Sequence, residues 1–440
     1  GAGRLIFSTG SDFASKVNVT VPRIQLSGTT FQDSLVVNLM TEGLTSSGAL
    51  NCYGPVVFNT YHNTGNFQLN YSGTPSTYYD DVYLNRFGSG SAYFGYAGKH
   101  YFKKDLHFNG TQAASGDNSN MYFTGDLDQH VSSTNSQTTT MHRIYVDKPA
   151  GELKMHSKVS ITLNLQLLNG VMATDDSVSV FLNTNGTVTG GSDSSYVDGY
   201  IGKYGSAAFT FPVGRNGHYK PLSISAPGSN NTFKAKYANL DPSEVNSFSS
   251  KDTTINEIGT NEYWMLERTY GSSNVSVTLY RDNMGCSYDT LDNLKITAYN
   301  GSTWKDLGQG STTGNDSIGT ISTSGVSSIY GMYTLATSDT FDCVPCRADA
   351  GEDKHILQFM STIIGNQLSN EPIGNIQEIT WRPLIGLYKP NKLETRCSGY
   401  ADTEYTLELT NSKGCLSIDK TMVTITPRIL EPHIYRCVIK

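Results

Sequence analysis

FKKDLHFN, residues Phe102 to Asn109, repeats a pattern already written at Phe31 to Asn38 as FQDSLVVN. CYGPVVFN (Cys52 to Asn59) and YYDDVYLN (Tyr78 to Asn85) repeat it again, and FASKVNVT (Phe13 to Thr20) is a looser first copy. The copies start at residues 13, 31, 52, 78 and 102, so they are 18, 21, 26 and 24 residues apart. Between them lie Gly/Ser/Thr stretches and short apolar runs: RLIF, FQLNY, AYFGY and MYFTG. A period of this length, carrying two short strands, is the signature of a solenoid. One coil cannot bury its own apolar face, whereas stacked coils bury aligned side chains against each other. Residues two apart, such as Val56 and Phe58, share one side of a strand. The closing Asn suits an amide ladder or a left-handed turn. The expected column of like residues is Val17, Leu35, Val56, Val82 and Leu106.

The composition agrees with an all-β chain. Only 16% of the 440 residues are charged, and Ser, Thr, Asn, Gly and 27 tyrosines take up the difference. The net charge of −7 comes with no basic stripe, so a nucleic-acid partner is not expected. No apolar run is long enough for a membrane span.

Three domains and a tail are expected. Residues 1–203 read as a parallel β-solenoid, with later coils marked by alternation at Val159, Ile161, Leu163, Leu165 and Leu167. Residues 204–340 read as a β-sandwich, with alternation at Val275, Val277 and Leu279 and a hairpin cue at Asn300-Gly301. Residues 341–427 close on the alternating Tyr405, Leu407 and Leu409 and read as a small immunoglobulin-like module. Residues 428–440 form a tail that fits no element.

Three stretches resemble secreted multidomain proteins of the Bacteroidetes. They are SYVDGYIGKYGSAAFTFPVGRNGHYKPLSIS, the EYWMLERTYGSSNVSVTL…LKITAYNGSTWKDLG pair, and the PKD-like ADAGEDK…TEYTLELTNSKGCLSIDKTMVTIT. The resemblance implies a cell-surface or extracellular adhesin-like protein, of the kind exported by the type IX secretion system. It brings no catalytic residue with it. Such proteins usually end in a sorting domain, and none is visible here.

Candidate chemistry is sparse. No phosphate-cradling glycine loop or nucleophile elbow is present. Cys343, Cys346, Cys397 and Cys415 are disulfide candidates with the pairing open, since CVPC without matching ligands is weak as a zinc site. His100 and His107 flank a coil phrase. His107 lies between inward Leu106 and Phe108, so it is expected on the outside, and a metal pair with His100 is the lesser reading. The acidic groups at Gly116–Asn120 with GDLDQH (Gly125 to His130), in ATDDS, and at Asp349 with Asp353 raise calcium, but none has EF-hand spacing and turn roles explain them. Tyr79, Tyr83, Tyr93 and Tyr96 are candidate glycan-stacking rings.

The expected function is therefore extracellular, structural or adhesive, and not enzymatic: a repetitive β surface meeting glycans or cell-surface polymers through many weak contacts. Exposed coil edges would also support end-to-end self-association. The alternatives are a polysaccharide-active β-helix enzyme, which needs paired carboxylates in one groove, and a sugar-binding protein without catalysis.

Overall fold

The computed structural model describes residues 3–41, 49–63, 66–70, 74–94, 98–111, 115–134, 137–175, 180–282, 291–315, 318–339, 348–366, 376–399, 401–411 and 416–427. Among the described residues there is no α-helix, only strands and two short 3-10 turns. The amino-terminal part is a parallel β-solenoid of about eight coils.

Among the described residues, early coils carry three strands rather than two. In one coil these are Ser91–Phe94, Lys99–Phe102 and Leu106–Gly110. The repeated phrase is consequently a corner and not a single strand. Its aromatic ends the second strand, two or three polar residues turn the chain, and the aliphatic opens the third. Farther along, the corners are absorbed into long bent strands. Thr139–Met155 lies parallel to Val159–Thr174, with register shifts between Met141 and Arg143 and between Val146 and Glu152 marking the bends. Leu163 falls in such a bend. It is only half buried, although Ile161 and Leu165 on either side are fully buried.

The expected column forms. Val17 is in register with Leu35, Leu35 with Val56, Val56 with Val82, and Val82 with Leu106. Val131 and Met155 extend it. A second column runs Phe13, Phe31, Cys52, Tyr78, Phe102 and Phe123. Its rings stack along the solenoid axis, with centroids 5.4 Å apart for Phe13–Phe31 and 5.3 Å for Tyr78–Phe102. From Phe31 onward these side chains are fully buried. A buried Leu, Val or Phe of these columns is worth about 1.5–3 kcal/mol relative to exposure, which adds to the backbone pairing between coils.

Polar ladders run beside the apolar ones. Thr20, Asn38, Asn59, Asn85 and Asn109 are in register. Nδ2 of Asn59 donates to Oδ1 of Asn38 at 2.8 Å, and Nδ2 of Asn85 donates to Oδ1 of Asn59 at 2.8 Å. The phrase ends in Asn because the amide can donate to one coil and accept from the next. At the following position Gly110 has φ +105°, and a Cβ there would lie 2.2 Å from the Arg86 carbonyl oxygen one coil away. No other residue fits without moving that backbone.

The strand Ile201–Gly205 hands the solenoid over to the next domain. It pairs in parallel with Val180–Leu182 and antiparallel with Asn231–Ala238. Beyond it one sheet runs through Asn231–Ala238, Tyr263–Tyr270, Gly331–Thr337, Leu294–Tyr299 and Trp304–Asp306. A second sheet joins Phe209–Phe211, Leu222–Ile224, Val277–Arg281, Gly319–Ser322 and Thr312–Gly314. Val275, Val277 and Leu279 are buried, and Asn300-Gly301 turns a hairpin in which Tyr299 pairs with Trp304. One hydrophobic core runs without a break from Ile24 in the solenoid to Leu335 in this pair of sheets.

The last unit has its own core of Trp381, Cys397, Tyr405, Leu407 and Leu409. Four strands, Lys354–Leu357, Leu416–Thr426, Thr403–Asn411 and Ile376–Arg382, form one sheet. Ser361–Ile364 pairs with Thr395–Ser398 beside it. The tail 428–440 lies outside the described residues.

Candidate functional site

Coil stacking places side chains one repeat apart in contact on the outer face of the third strands. Tyr83, His107 and Ser132 form one outward column. The Tyr83 and His107 rings stack with centroids 4.4 Å apart. Nδ1 of His107 is 2.7 Å from Oγ of Ser132. At the corner just before the same strands sit Asp81 and Asp105, at equivalent positions of the phrase. One ligand atom each from Asp81, Asp105 and His107 fall within 4.8 Å of one another, and all three residues are half buried.

The carboxylates are held by the backbone of the next coil. The Asp105 amide donates to Oδ1 of Asp81 at 3.3 Å, and the His130 amide donates to Oδ1 of Asp105 at 2.8 Å. Lys104 pairs with Asp80 at 2.9 Å on the same rim, which raises its pKa above the ordinary lysine value. Burial, followed by the negative charge of Asp81 and Asp105, raises the Tyr83 phenol above its usual range. Two coils on, Nδ1 of His130 meets Nε2 of His156 at 2.8 Å, and Nδ1 of His156 meets Oδ2 of Asp175 at 3.1 Å. A histidine with two carboxylates is a donor set for a divalent cation, and equally an acid–base set for sugar chemistry.

His107 is on the outside, between buried Leu106 and Phe108, as its parity requires. The pairing with His100 is not made. His100 is fully buried in the interior, stacked against Tyr78 and Phe102, and burial depresses its pKa to about 3. It shares parity with inward Phe102, so the apolar face claims it.

Of the candidate glycan-stacking rings, Tyr79 is exposed but gives a face to Tyr53, with centroids 4.5 Å apart and planes 1° apart. Tyr83 gives a face to His107. Tyr101, Tyr122 and Tyr145 continue the theme, with centroids 4.6 and 4.0 Å apart. Stacking along the axis spends ring faces on cohesion between coils. Tyr93 lies in the strand Ser91–Phe94, in register with Gln68, and Tyr96 lies outside the described residues.

Cys397 is a buried free thiol in the core of the last unit, and Cys343, Cys346 and Cys415 lie outside the described residues. Asp349 accepts within a turn and across to another segment, and Asp353 accepts from a distant strand. Asp349 takes the Gly351 amide at 2.9 Å and Asn366 Nδ2 at 2.9 Å, and Asp353 takes the Met422 amide at 2.8 Å. The side chains of residues 116–118 and the whole of Asp176 lie outside the described residues. No described helix is long and apolar enough to cross a membrane.

Compared with family models, curated proteins and solved structures, the chain matches none.

Proposed function

We propose that this chain is an extracellular structural or adhesive protein, a stiff β-solenoid shaft carried on sandwich-type domains and offering a repetitive polar surface to glycans or cell-surface polymers. The observation that carries the reading is the unbroken core from Ile24 to Leu335, passed across the strand Ile201–Gly205. A shaft fused to its neighbour through a shared sheet and core transmits load without a hinge, which suits presentation at a surface. The stacked rings and the Asn ladder have one consequence in common: these outer side chains are spent on holding coils together. Adhesion through many weak contacts needs only a regular surface.

A second reading rests on the Asp81–Asp105–His107 group. A polysaccharide-active site needs carboxylates within reach of one sugar, and this is where two described carboxylates meet a histidine on the solenoid face.

Incubation of the full chain with a panel of immobilised polysaccharides separates the readings. Retention of the chain with no release of reducing ends or unsaturated products supports adhesion. Cleavage that is lost in Asp105→Asn and His107→Ala replaces it with the enzymatic reading. No retention on any glycan or cell-surface polymer contradicts both.

A further inference from the structure

Inside the sandwich, three ionisable side chains meet, two of them buried and Asp282 partly exposed. Lys220 precedes the strand Leu222–Ile224, and Asp282 follows the strand Val277–Arg281, to which that strand is paired. Glu262 enters from the facing sheet, just before Tyr263–Tyr270. Lys220 is fully buried and Glu262 is 5% exposed. Nζ of Lys220 lies 2.5 Å from Oδ1 of Asp282 and 2.8 Å from Oε2 of Glu262. The Tyr237 hydroxyl donates to that same Oε2 at 2.8 Å, and Nε1 of Trp264 donates to the Lys220 carbonyl at 2.8 Å. Lysine backbone and glutamate head are thus both fixed by buried aromatic residues.

Lys220 stands between two carboxylates, of which Glu262 is the buried one and Asp282 is partly exposed. Burial pushes the Glu262 carboxyl above the ordinary carboxylate range, so the extra proton belongs there. The set is then an ammonium and a carboxylate in contact, with the protonated acid of Glu262 against the same Nζ.

We propose that Lys220 and Asp282 become joined by an intramolecular amide bond, formed within the folded chain with Glu262 as the proton-transferring group. The ammonium of Lys220 passes a proton to Asp282 across their contact. The freed Nζ lone pair attacks Cγ of Asp282, forming the Nζ–Cγ bond. Glu262 donates its proton to the departing hydroxyl, which leaves as water when the Cγ–O bond breaks. The Glu262 carboxylate then takes the surplus proton from Nζ and is restored. An ammonium and a carboxylate become one amide and one water, and no oxidant or activating group is consumed. Enforced contact supplies the orientation that an amine and a carboxylic acid lack in solution. Conversion of a buried ion pair into a neutral amide removes the desolvation cost that holding those charges imposes. The bond would clamp the paired strands beside the solenoid handover, whatever the shaft binds.

The test is the intact mass of the full chain after reduction and unfolding. The expected result is a mass lighter than the sequence by one water. Lys220 precedes Pro221, so trypsin leaves residues 216–234 whole, and these should be recovered joined to residues 282–295. Glu262→Gln is expected to have the full mass of its sequence and to yield the two peptides separately. A wild-type chain at full sequence mass, with the peptides recovered apart, overturns the proposal without reference to any variant. An equal yield of the joined peptide in Glu262→Gln overturns the role given to Glu262.

Discussion

Asn85 sits one coil beyond Asn59 and donates to it, Nδ2 to Oδ1 at 2.8 Å, while Asn59 donates in the same way to Asn38. Asn59 is the middle rung, so it satisfies one amide and is satisfied by another. Asn59→Ala strands both neighbours and is expected to cost about 1–3 kcal/mol. A fall in the denaturant midpoint at unchanged slope checks this. No change would mean that water replaces the ladder without loss.

His100 is a polar group in an apolar column, in register with Ser76 and Met121. Its Nε2 is buried without a hydrogen-bond partner. Its folded pKa of about 3 lies below the ordinary histidine value of 6.5, so the unfolded chain binds the extra proton between those values. Stability therefore rises with pH through that window and is lost as pH falls from about 6.5 toward about 3. His100→Met, which copies the residue at Met121, is expected to match or exceed the parent at neutral pH. Its stability should also fall less steeply on acidification. Parallel denaturation series at pH 7 and pH 4 decide the matter.

Lys148 closes a corner of the preceding coil. Its Nζ donates to the carbonyls of Gly125 at 2.9 Å and Leu127 at 2.8 Å and to Oε1 of Gln129 at 2.9 Å. Lys203 closes a later corner in the same way, on Asn183, Thr184 and Gly186. Lys148→Met leaves three acceptors without this donor and should cost about 1–3 kcal/mol at neutral pH. Burial lowers the Lys148 pKa from 10.5 to about 8, so between these values the unfolded chain holds more protons. This residue's contribution therefore makes stability rise with pH across that window, and the methionine variant should lack that component. Denaturation midpoints of both proteins from pH 7 to pH 10 test it.

Gly110 combines φ +105° with a backbone so close to the next coil that an added Cβ would come within 2.2 Å of the Arg86 carbonyl oxygen. Gly217 has φ +78° but open space around it. Gly110→Ala should therefore cost about 1–3 kcal/mol, and more than Gly217→Ala, which carries only the left-handed penalty of about 1–2 kcal/mol. Equal losses would show that the coils part easily at Gly110.

The sequence made the columns legible because the phrase fixes both corner and parity: Leu35 and Val37 inward, Val36 outward, Asn38 at the end. The split inside the phrase was hidden. The run Ser91–Phe94 was visible as AYFGY, whereas Lys99–Phe102 and Leu106–Gly110 read as one strand because only Lys103, Lys104 and Asp105 separate them. His107 was legible as an outward residue, and its meeting with Asp81 was implicit in aligned copies, since Asp81 and Asp105 share a position in the phrase. The burial of His100 was open to the same parity test through Phe102. Lys220, Glu262 and Asp282 had no such signal, because antiparallel pairing across two sheets brings together residues with no common spacing.

The central claim is that coils stack in register, and cysteine cross-linking measures it directly. Val36 and Val57 face outward in register on neighbouring coils, about 4.8 Å apart at Cα, within the span of a disulfide. A shift of two residues to Asn59 puts the Cα atoms about 8 Å apart, beyond that span. Peptide mapping after mild oxidation should find the Val36→Cys/Val57→Cys pair joined and the Val36→Cys/Asn59→Cys pair separate. Joining of the offset pair in preference to the aligned one would contradict the stacking, and with it the shaft.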